Sequence, residues 1–185
     1  MVKKRASVFI SGSGTNLKAL IKSSKNYNFP IIISYVVSNN VNAKGLQIAK
    51  LNKIDTKIFN PEKKIEQAKL LLDLKKRKIS VICLAGYMKI LSKDFIKKFD
   101  GKILNIHPSL LPKFKGLNTF SRVLKSKEKY TGCTVHFVTS KLDSGKIILQ
   151  KKVKIEKNDN EKTLKYKVQK KEYKAYSEAI FSLFK

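Results

Sequence analysis

Short apolar runs alternate with helix-like segments through the first half of the chain, and this alternation limits the possible folds more than any other feature. The runs at Val2–Ile10, 30–37 and Ile79–Ala85 are strand candidates, and the last is apolar at nearly every position. Strands buried on both faces of a parallel sheet have that composition. Between them, residues such as Leu17 and Leu20 have helical spacing. The pattern predicts an α/β fold with a doubly wound, mostly parallel sheet flanked by helices.

Beyond Gly116 the pattern changes, because two strands joined by a turn precede one long helical segment. We therefore expect antiparallel strands near the C-terminal part and a long terminal helix, in a single domain over residues 1–185. The other predicted elements are a helix with Leu46, Ile48 and Ala49, a strand Thr56–Phe59, a helix opening at Pro61 and Glu62 with an apolar stripe of Ile65, Ala68, Leu71 and Leu72, a helix Lys93–Lys98 capped by Ser92, strands Lys102–Ile106, Thr131–Thr139 and Lys146–Ile155, and the terminal helix Glu161–Phe184.

The charge balance first suggests a nucleic-acid partner, since 41 Lys and Arg residues against 13 Asp and Glu give a formal net charge of +28. Only Arg5, Arg77 and Arg122 are arginines, although base and phosphate recognition favours the bidentate arginine side chain. The lysines are dispersed and lack interleaved aromatic residues. We therefore expect solvated lysine-rich faces and no specific nucleic-acid partner.

No window of the sequence is apolar enough to cross a membrane, and Ala6–Ile10 is too short for the apolar core of a signal peptide. We expect a cytoplasmic protein with no membrane partner. The only two cysteines, Cys83 and Cys133, form no C-x-x-C motif. Because they are far apart in the sequence and Cys83 lies inside an apolar run, we expect buried, reduced thiols.

A glycine-rich turn follows the first predicted strand and precedes a helix. It reads Ser11-Gly12-Ser13-Gly14-Thr15-Asn16, without the Lys-Ser/Thr of a P-loop or the third glycine of a dinucleotide-binding fingerprint. Backbone N–H groups at a helix N-terminus can hold a phosphate. An ordinary helix N-cap by Ser13 or Thr15 explains the same residues equally well, so the turn by itself leaves both interpretations open.

The stretch Asn105-Ile106-His107-Pro108-Ser109-Leu110-Leu111-Pro112 ends another predicted strand. Alternation places Asn105 and His107 on one side of that strand, and open α/β sheets bind ligands at this end. His107 is therefore a candidate catalytic residue. The second histidine, His136, lies inside a predicted strand and is interpreted as structural. Asp143, in Leu142-Asp143-Ser144-Gly145, is by itself best explained as a turn aspartate.

Taken together, these segments resemble the phosphoribosylglycinamide formyltransferase family, the folate-dependent enzymes of purine synthesis. The resemblance runs from Val8 to about Ile180 and implies a Rossmann-type formyltransferase fold. It is carried by the segments Ile10-Ser11-Gly12-Ser13-Gly14-Thr15-Asn16-Leu17, Val37-Ser38-Asn39, Leu84-Ala85-Gly86-Tyr87-Met88-Lys89-Ile90-Leu91, Asn105 to Pro112, Gly132-Cys133-Thr134-Val135-His136-Phe137-Val138, Leu142 to Gly145 and Ile148-Leu149-Gln150.

The resemblance implies that Asn105, His107 and Asp143 are the catalytic residues. The family reaction transfers the formyl group of 10-formyltetrahydrofolate, a co-substrate, to the glycinamide amine without a metal. Attack by the amine creates an oxyanion, which a charged His107 and the Asn105 amide can stabilise. Asp143 is expected to raise the pKa of His107 and to accept or relay the proton lost from the amine.

The resemblance also implies binding residues for both small-molecule substrates. The substrate phosphate is expected at Gly14, Thr15 and Asn16. The remainder of the phosphoribosylglycinamide is expected near Gly86, Met88, Pro108, Gln169 and Glu172. The folate is expected to contact Met88, Lys89, Ile90, Leu91 and Asn105, with Lys63 near its glutamate tail.

One residue departs from the family pattern, and three other functions compete with the leading one. Asn118 stands where the family commonly has a histidine, and an asparagine cannot titrate near neutral pH. A formyltetrahydrofolate hydrolase normally carries an extra N-terminal domain, and a methionyl-tRNA formyltransferase an extra C-terminal one, so we expect neither. The high charge alone would fit a non-catalytic nucleic-acid-binding module. A monomer and a homodimer are both compatible with the sequence.

Overall fold

The computed structural model describes residues 2–185, which form one seven-stranded sheet with helices on both faces. The elements are β1 (Lys4–Ile10), α1 (Thr15–Ser24), β2 (Ile31–Ser38), α2 (Lys44–Leu51), β3 (Asp55–Ile58), α3 (Lys64–Lys76), β4 (Ile79–Leu84), α4 (Lys93–Lys98), β5 (Lys102–His107), α5 (Thr119–Lys125), β6 (Tyr130–Phe137), β7 (Ile147–Lys154) and α6 (Glu161–Phe184).

The strand order in the sheet is β3-β2-β1-β4-β5-β6-β7. The first five strands in this order are parallel, β6 is antiparallel to β5, and β7 is antiparallel to β6. The predicted fold class, a mostly parallel doubly wound sheet with antiparallel strands and a long helix near the C-terminus, is confirmed. The strand order reverses at β1, because β2 and β3 lie on one side of it and β4 to β7 lie on the other. Sheets of this kind bind ligands at such a topological switch point, which here is at the carboxyl ends of the central strands.

Alternation along the strands divides the core into two layers. On β1, Ala6, Val8 and Ile10 face a cluster formed with α1, α2, α5 and α6, whereas Phe9 faces a second cluster formed with α3 and α4. All four side chains are fully buried. Burial on both faces explains why the strand sequences are almost continuously apolar.

The terminal helix α6 is fixed at its start and at its middle. Asn160 caps it by accepting the N–H groups of Lys162 and Thr163, and the Thr163 hydroxyl accepts the Asn160 N–H in return. Further along, the buried Tyr176 hydroxyl lies 3.1 Å from the carbonyl oxygens of both Leu84 and Leu104. The helix is therefore held against β4 and β5, the strands that lead into the candidate site.

Two predictions for α3 are wrong. The helix begins at Lys64, not at Pro61, and its buried residues are Leu70 and Leu74. Of the predicted apolar stripe, Ile65, Ala68 and Leu72 are exposed and Leu71 is half-buried. The sequence carries apolar residues on more than one side of this helix, and contact with the sheet selects the side that holds Leu70 and Leu74.

The structure bears on two further features of the sequence. Both cysteines are free and buried, as predicted. Burial raises the pKa of each thiol to about 12, so both are protonated at neutral pH. Within residues 2–185, no helix is long and apolar enough to span a membrane.

Candidate active site

Three loops meet at the carboxyl ends of the parallel strands β1, β2 and β4, and hydrogen bonds of Ser11 connect them. The Ser11 hydroxyl accepts the backbone N–H of Met88 at 2.8 Å and donates to Asn39 Oδ1 at 2.5 Å. Its backbone N–H donates to the Gly86 carbonyl. The glycine-rich turn and the segment around Met88 therefore hold a defined position relative to each other.

The structure brings Asn105, His107 and Asp143 into one cluster next to these loops. The two β5 residues project to the same side of their strand, while Asp143 comes from the turn between β6 and β7. Asp143 Oδ2 lies 3.3 Å from His107 Nδ1, and Asp143 Oδ1 lies 3.4 Å from Asn105 Nδ2. The His107 and Asp143 side chains are almost completely buried, with exposed fractions of 7% and 6%.

Asp143 is held as a carboxylate. Burial acts to raise its pKa, but the neighbouring His136 side chain, the Gly116 N–H and His107 together lower that pKa to about 2. The Gly116 N–H donates to Oδ2 at 2.9 Å. A negative charge is therefore present beside His107 throughout the neutral pH range.

His107 has an acceptor on each ring nitrogen. Its Nε2 lies 2.8 Å from the Phe114 carbonyl oxygen, and its Nδ1 faces Asp143. Burial lowers the pKa of His107, while the Phe114 carbonyl and Asp143 act in the opposite direction and offset part of that effect. Because both partners only accept, the contacts fit a ring that carries a proton on each nitrogen. Asp143 thus acts on the pKa of His107 in the expected direction, although the effect of burial is larger.

The glycine-rich turn leaves the N-terminus of α1 without a side-chain cap. Its N-cap residue is Gly14, with φ of 72°, and no side chain accepts a hydrogen bond from the first turn. The alternative interpretation, an ordinary N-cap by Ser13 or Thr15, is therefore wrong. A Cβ on Gly14 would lie 2.6 Å from the Cα of Gly45, so the tight approach of α2 requires glycine here. Uncapped N–H groups at a helix start can bind an anion.

Glu172 of α6 reaches the first turn of α1. Asn16 Nδ2 donates to Glu172 Oε2 at 2.9 Å, and the two residues are only 7% and 6% exposed. Burial raises the pKa of Glu172, and the hydrogen bond from Asn16 opposes that rise. Asn16 Oδ1 is buried and has no hydrogen-bond partner within residues 2–185. Gln169 lies one helical turn before Glu172 and is half-buried.

The predicted folate-contacting residues lie along the segment after β4. Met88 and Ile90 are 63% and 73% exposed. A Cβ on Gly86 would meet no atom within 4 Å, so the backbone there borders open space. Leu91 differs from the others because its side chain packs into the core formed with α3 and α4, which leaves only its backbone for a ligand.

The two lysines predicted near the folate are both close to carboxylates. Lys89 Nζ forms an ion pair with Glu62 Oε1 at 2.7 Å. Lys63 Nζ lies 3.8 Å from Glu66 Oε1, and 64% of its side chain is exposed. These exposed pairs contribute little to stability and can exchange for an anionic ligand.

The structure adds one residue to the cluster that the sequence interpretation missed. His136, taken there as structural, is 2% exposed and places its Nε2 3.2 Å from Asn105 Nδ2 and 3.6 Å from Asp143 Oδ1. It lies directly opposite Asn105 in the β5–β6 pairing. Alternation along β6 identifies the side that His136 faces, but only the strand register places it against Asn105.

Asn118, the departure from the family pattern, does not contact the cluster through its side chain. It is exposed, occupies the N-cap position of α5 with φ of 53°, and caps no N–H group. The loop instead supports Asp143 through the Gly116 N–H. Over residues 2–185, no group of three or more His, Cys, Asp or Glu side chains is arranged to hold a metal ion.

Comparison with known proteins shows the family to which this chain belongs. The family model for formyl transferase matches residues 4–180. The chain belongs to this family, and membership implies a folate co-substrate. The crystal structure of a phosphoribosylglycinamide formyltransferase from Brucella melitensis superposes with a TM-score of 0.93 and 40% sequence identity, covering 98% of this chain and 96% of that one.

The chain is also similar to two further proteins, one of which is named as a phosphoribosylglycinamide formyltransferase. A phosphoribosylglycinamide formyltransferase from Haemophilus influenzae is 41% identical over 177 residues, which cover 94% of this chain and 84% of that protein. The human trifunctional purine biosynthetic protein adenosine-3 is 42% identical over 96% of this chain. The chain spans 18% of the length of the human protein.

Proposed function

We propose that this formyltransferase transfers the formyl group of 10-formyltetrahydrofolate to the amine of 5'-phosphoribosylglycinamide in purine biosynthesis. The observation that carries the proposal is the buried contact between Asp143 and His107, 3.3 Å apart, beside an uncapped helix N-terminus. The first feature suits chemistry at a carbonyl group, and the second suits a substrate with a phosphate. The names of the relatives agree with this reaction.

The reaction begins when the amine attacks the formyl carbon, which forms a carbon–nitrogen bond and an oxyanion. Asp143 fixes Nδ1 of His107, so Nε2 is the atom that can face the formyl oxygen. The Phe114 carbonyl lies at that nitrogen, and the formyl oxygen would take its place as acceptor. The developing negative charge raises the pKa of His107 and so counteracts the effect of burial.

The second half of the reaction moves a proton and releases tetrahydrofolate. The attacking amine loses a proton, for which the Asp143 carboxylate is the nearby acceptor, directly or through water. Collapse of the intermediate breaks the bond between the formyl carbon and N10 of the folate, and N10 takes up a proton. Asn105 supplies an amide N–H to the oxyanion throughout.

The substrates occupy opposite sides of the cluster in this proposal. The phosphate binds at Gly14, Thr15 and Asn16, where the helix start is uncapped. The glycinamide ribonucleotide then extends past Glu172, which Asn16 holds, and past Gln169 toward Gly86, Met88 and Pro108. The folate lies along Met88, Lys89, Ile90 and the Leu91 backbone, reaches Asn105, and directs its glutamate tail toward Lys63.

We further propose that residues 1–185 act as a single domain whose partners are these small molecules and not nucleic acid. The continuous sheet through the chain supports the first point. The dispersal of the lysines supports the second, because a nucleic-acid surface concentrates charge and binds with a steep salt dependence.

The experiment mixes purified protein with both substrates and follows tetrahydrofolate and formylated product. We expect stoichiometric formation of both, no activity in His107→Ala, and severely reduced activity in Asp143→Ala. Lys157→Ala, a change on the exposed surface, is the control and should retain full activity. Release of formate without formylated product would indicate a hydrolase and refute the proposal, and unchanged rates in the two variants would refute the mechanism.

A further inference from the structure

His136 makes three contacts that constrain where its protons lie. Its Nδ1 lies 2.9 Å from the carbonyl oxygen of Phe137, and its Nε2 lies 3.2 Å from Asn105 Nδ2. The nearest carboxylate oxygen, Asp143 Oδ1, is 3.6 Å from Nε2, which is beyond a good hydrogen bond. The ring is 2% exposed, so water does not replace these partners.

The Phe137 carbonyl decides the tautomer of His136. A carbonyl oxygen only accepts hydrogen bonds, so Nδ1 must carry the proton that it receives. In the neutral ring, Nε2 then has a lone pair and no proton. That lone pair is directed at the Asn105 amide and accepts one of its N–H groups.

The tautomer of His136 in turn decides which way the Asn105 amide faces. With its nitrogen toward His136, Asn105 also directs an N–H at Asp143 Oδ1, 3.4 Å away. The opposite orientation would place the amide oxygen against both the His136 lone pair and the Asp143 carboxylate. Two acceptor–acceptor contacts in a buried site are unfavourable, so only one orientation is consistent with the cluster.

We propose that His136 is a positioning residue, which fixes the Asn105 amide so that its nitrogen, and not its oxygen, faces the reaction centre. The inference rests on the function proposed above. One N–H of Asn105 is bound to His136, and the other is held only by the long contact to Asp143. That second N–H is the donor available to the oxyanion, and His136 acts on the reaction through it.

A spectroscopic experiment tests the tautomer without any substrate. The chain has only two histidines, so nitrogen-15 spectra of the labelled, full-length protein at pH 7.5 contain two imidazole spin systems. A His136→Gln variant identifies the His136 signals by their loss. We expect a protonated Nδ1 and an unprotonated Nε2 for His136. A proton on Nε2, in either the other tautomer or the charged ring, would overturn the proposal.

A kinetic experiment tests the effect on Asn105. His136→Phe keeps a planar ring but has no acceptor, and we expect kcat to fall about tenfold with KM for both substrates within about twofold of the wild-type value. His136→Gln can place an amide oxygen near the former Nε2 position and should recover most of the loss. Thr131→Val is the control, because Thr131 is buried on the same strand and its hydroxyl has no hydrogen-bond partner within residues 2–185.

The outcomes separate this inference from the proposed function. Equal kcat in the wild type and His136→Phe would overturn the role of His136 while leaving the formyl transfer in place. Failure of His136→Gln to exceed His136→Phe would also overturn it. An inactive wild type would refute the proposed function, and the nitrogen-15 spectra would still test the tautomer. If His136→Phe fails to fold, the spectra and His136→Gln still decide the question.

Discussion

Replacing Asp143 by asparagine tests the electrostatic argument most directly. The fall in the pKa of Asp143 from its ordinary value of 3.8 to about 2 corresponds to at most about 2 kcal/mol of stabilisation of the folded state at neutral pH. Asparagine keeps one acceptor but places an NH2 group opposite either the Gly116 N–H or the Asn105 amide. We expect Asp143→Asn to lose about 2 kcal/mol of stability, and about 10²- to 10⁴-fold in kcat.

The stability difference between the wild type and Asp143→Asn should depend on pH in a defined direction. Asp143 has a lower pKa in the folded than in the unfolded state, so its stabilisation is complete above the unfolded value and is lost as the pH falls toward about 2. Urea unfolding of wild type and variant should therefore differ by about 2 kcal/mol at pH 7. The difference should shrink between about pH 4 and pH 2.

Asp159→Asn provides the matched control. Asp159, which precedes α6, also has a lowered pKa. Its buried side chain, 4% exposed, binds Lys167 and Thr163 of that helix. It should lose stability and keep its kcat. The reasoning fails if Asp143→Asn retains more than about a tenth of wild-type kcat, or if its stability deficit is the same at pH 7 and pH 2.

Three further predictions concern residues around the cluster. Ser11→Ala removes the acceptor for Met88 N–H and should raise KM for the substrates about tenfold with little change in kcat, measured by steady-state kinetics. Tyr176→Phe leaves two strand carbonyls without their donor and should cost about 1–3 kcal/mol in urea unfolding. Glu172 has a raised pKa, so its contribution to folding stability is present below its ordinary pKa and is lost as the pH rises. In thermal unfolding at pH 7, Glu172→Gln should therefore be at least as stable as the wild type. In calorimetry, the same variant should bind phosphoribosylglycinamide more weakly.

The alternation of strands and helices could be predicted because it depends on local periodicity. Burial on both faces makes a run such as Ile79–Ala85 apolar throughout, and the structure contains the corresponding strand. The orientation of α3 could not be predicted, since Ile65 and Leu70 are equally apolar and only the sheet distinguishes them. The short helix α5 was also missed, because it has seven residues and begins at a left-handed asparagine without a side-chain cap.

The candidate site shows the same division between local and non-local information. Asn105 and His107 were placed together correctly because strand alternation is local. Asp143 was assigned to them only through the resemblance, as its contact with His107 joins residues far apart in the chain. The contact between His136 and Asn105 could not be predicted, because it depends on the register between β5 and β6, which no short segment of sequence contains.

Both histidines of the chain lie near the Asp143 carboxylate, but their other hydrogen-bond partners differ. A charged His136 would lower the pKa of His107 and compete with it for Asp143. The Phe137 carbonyl holds the proton of His136 on the far nitrogen, so the nitrogen toward the cluster can accept a hydrogen bond without bringing a positive charge. Asp143 then remains the carboxylate partner of His107 alone, and in the proposed reaction the developing oxyanion raises the pKa of His107 and favours a proton on its second nitrogen. The arrangement thus separates the orientation of Asn105 from the protonation of His107.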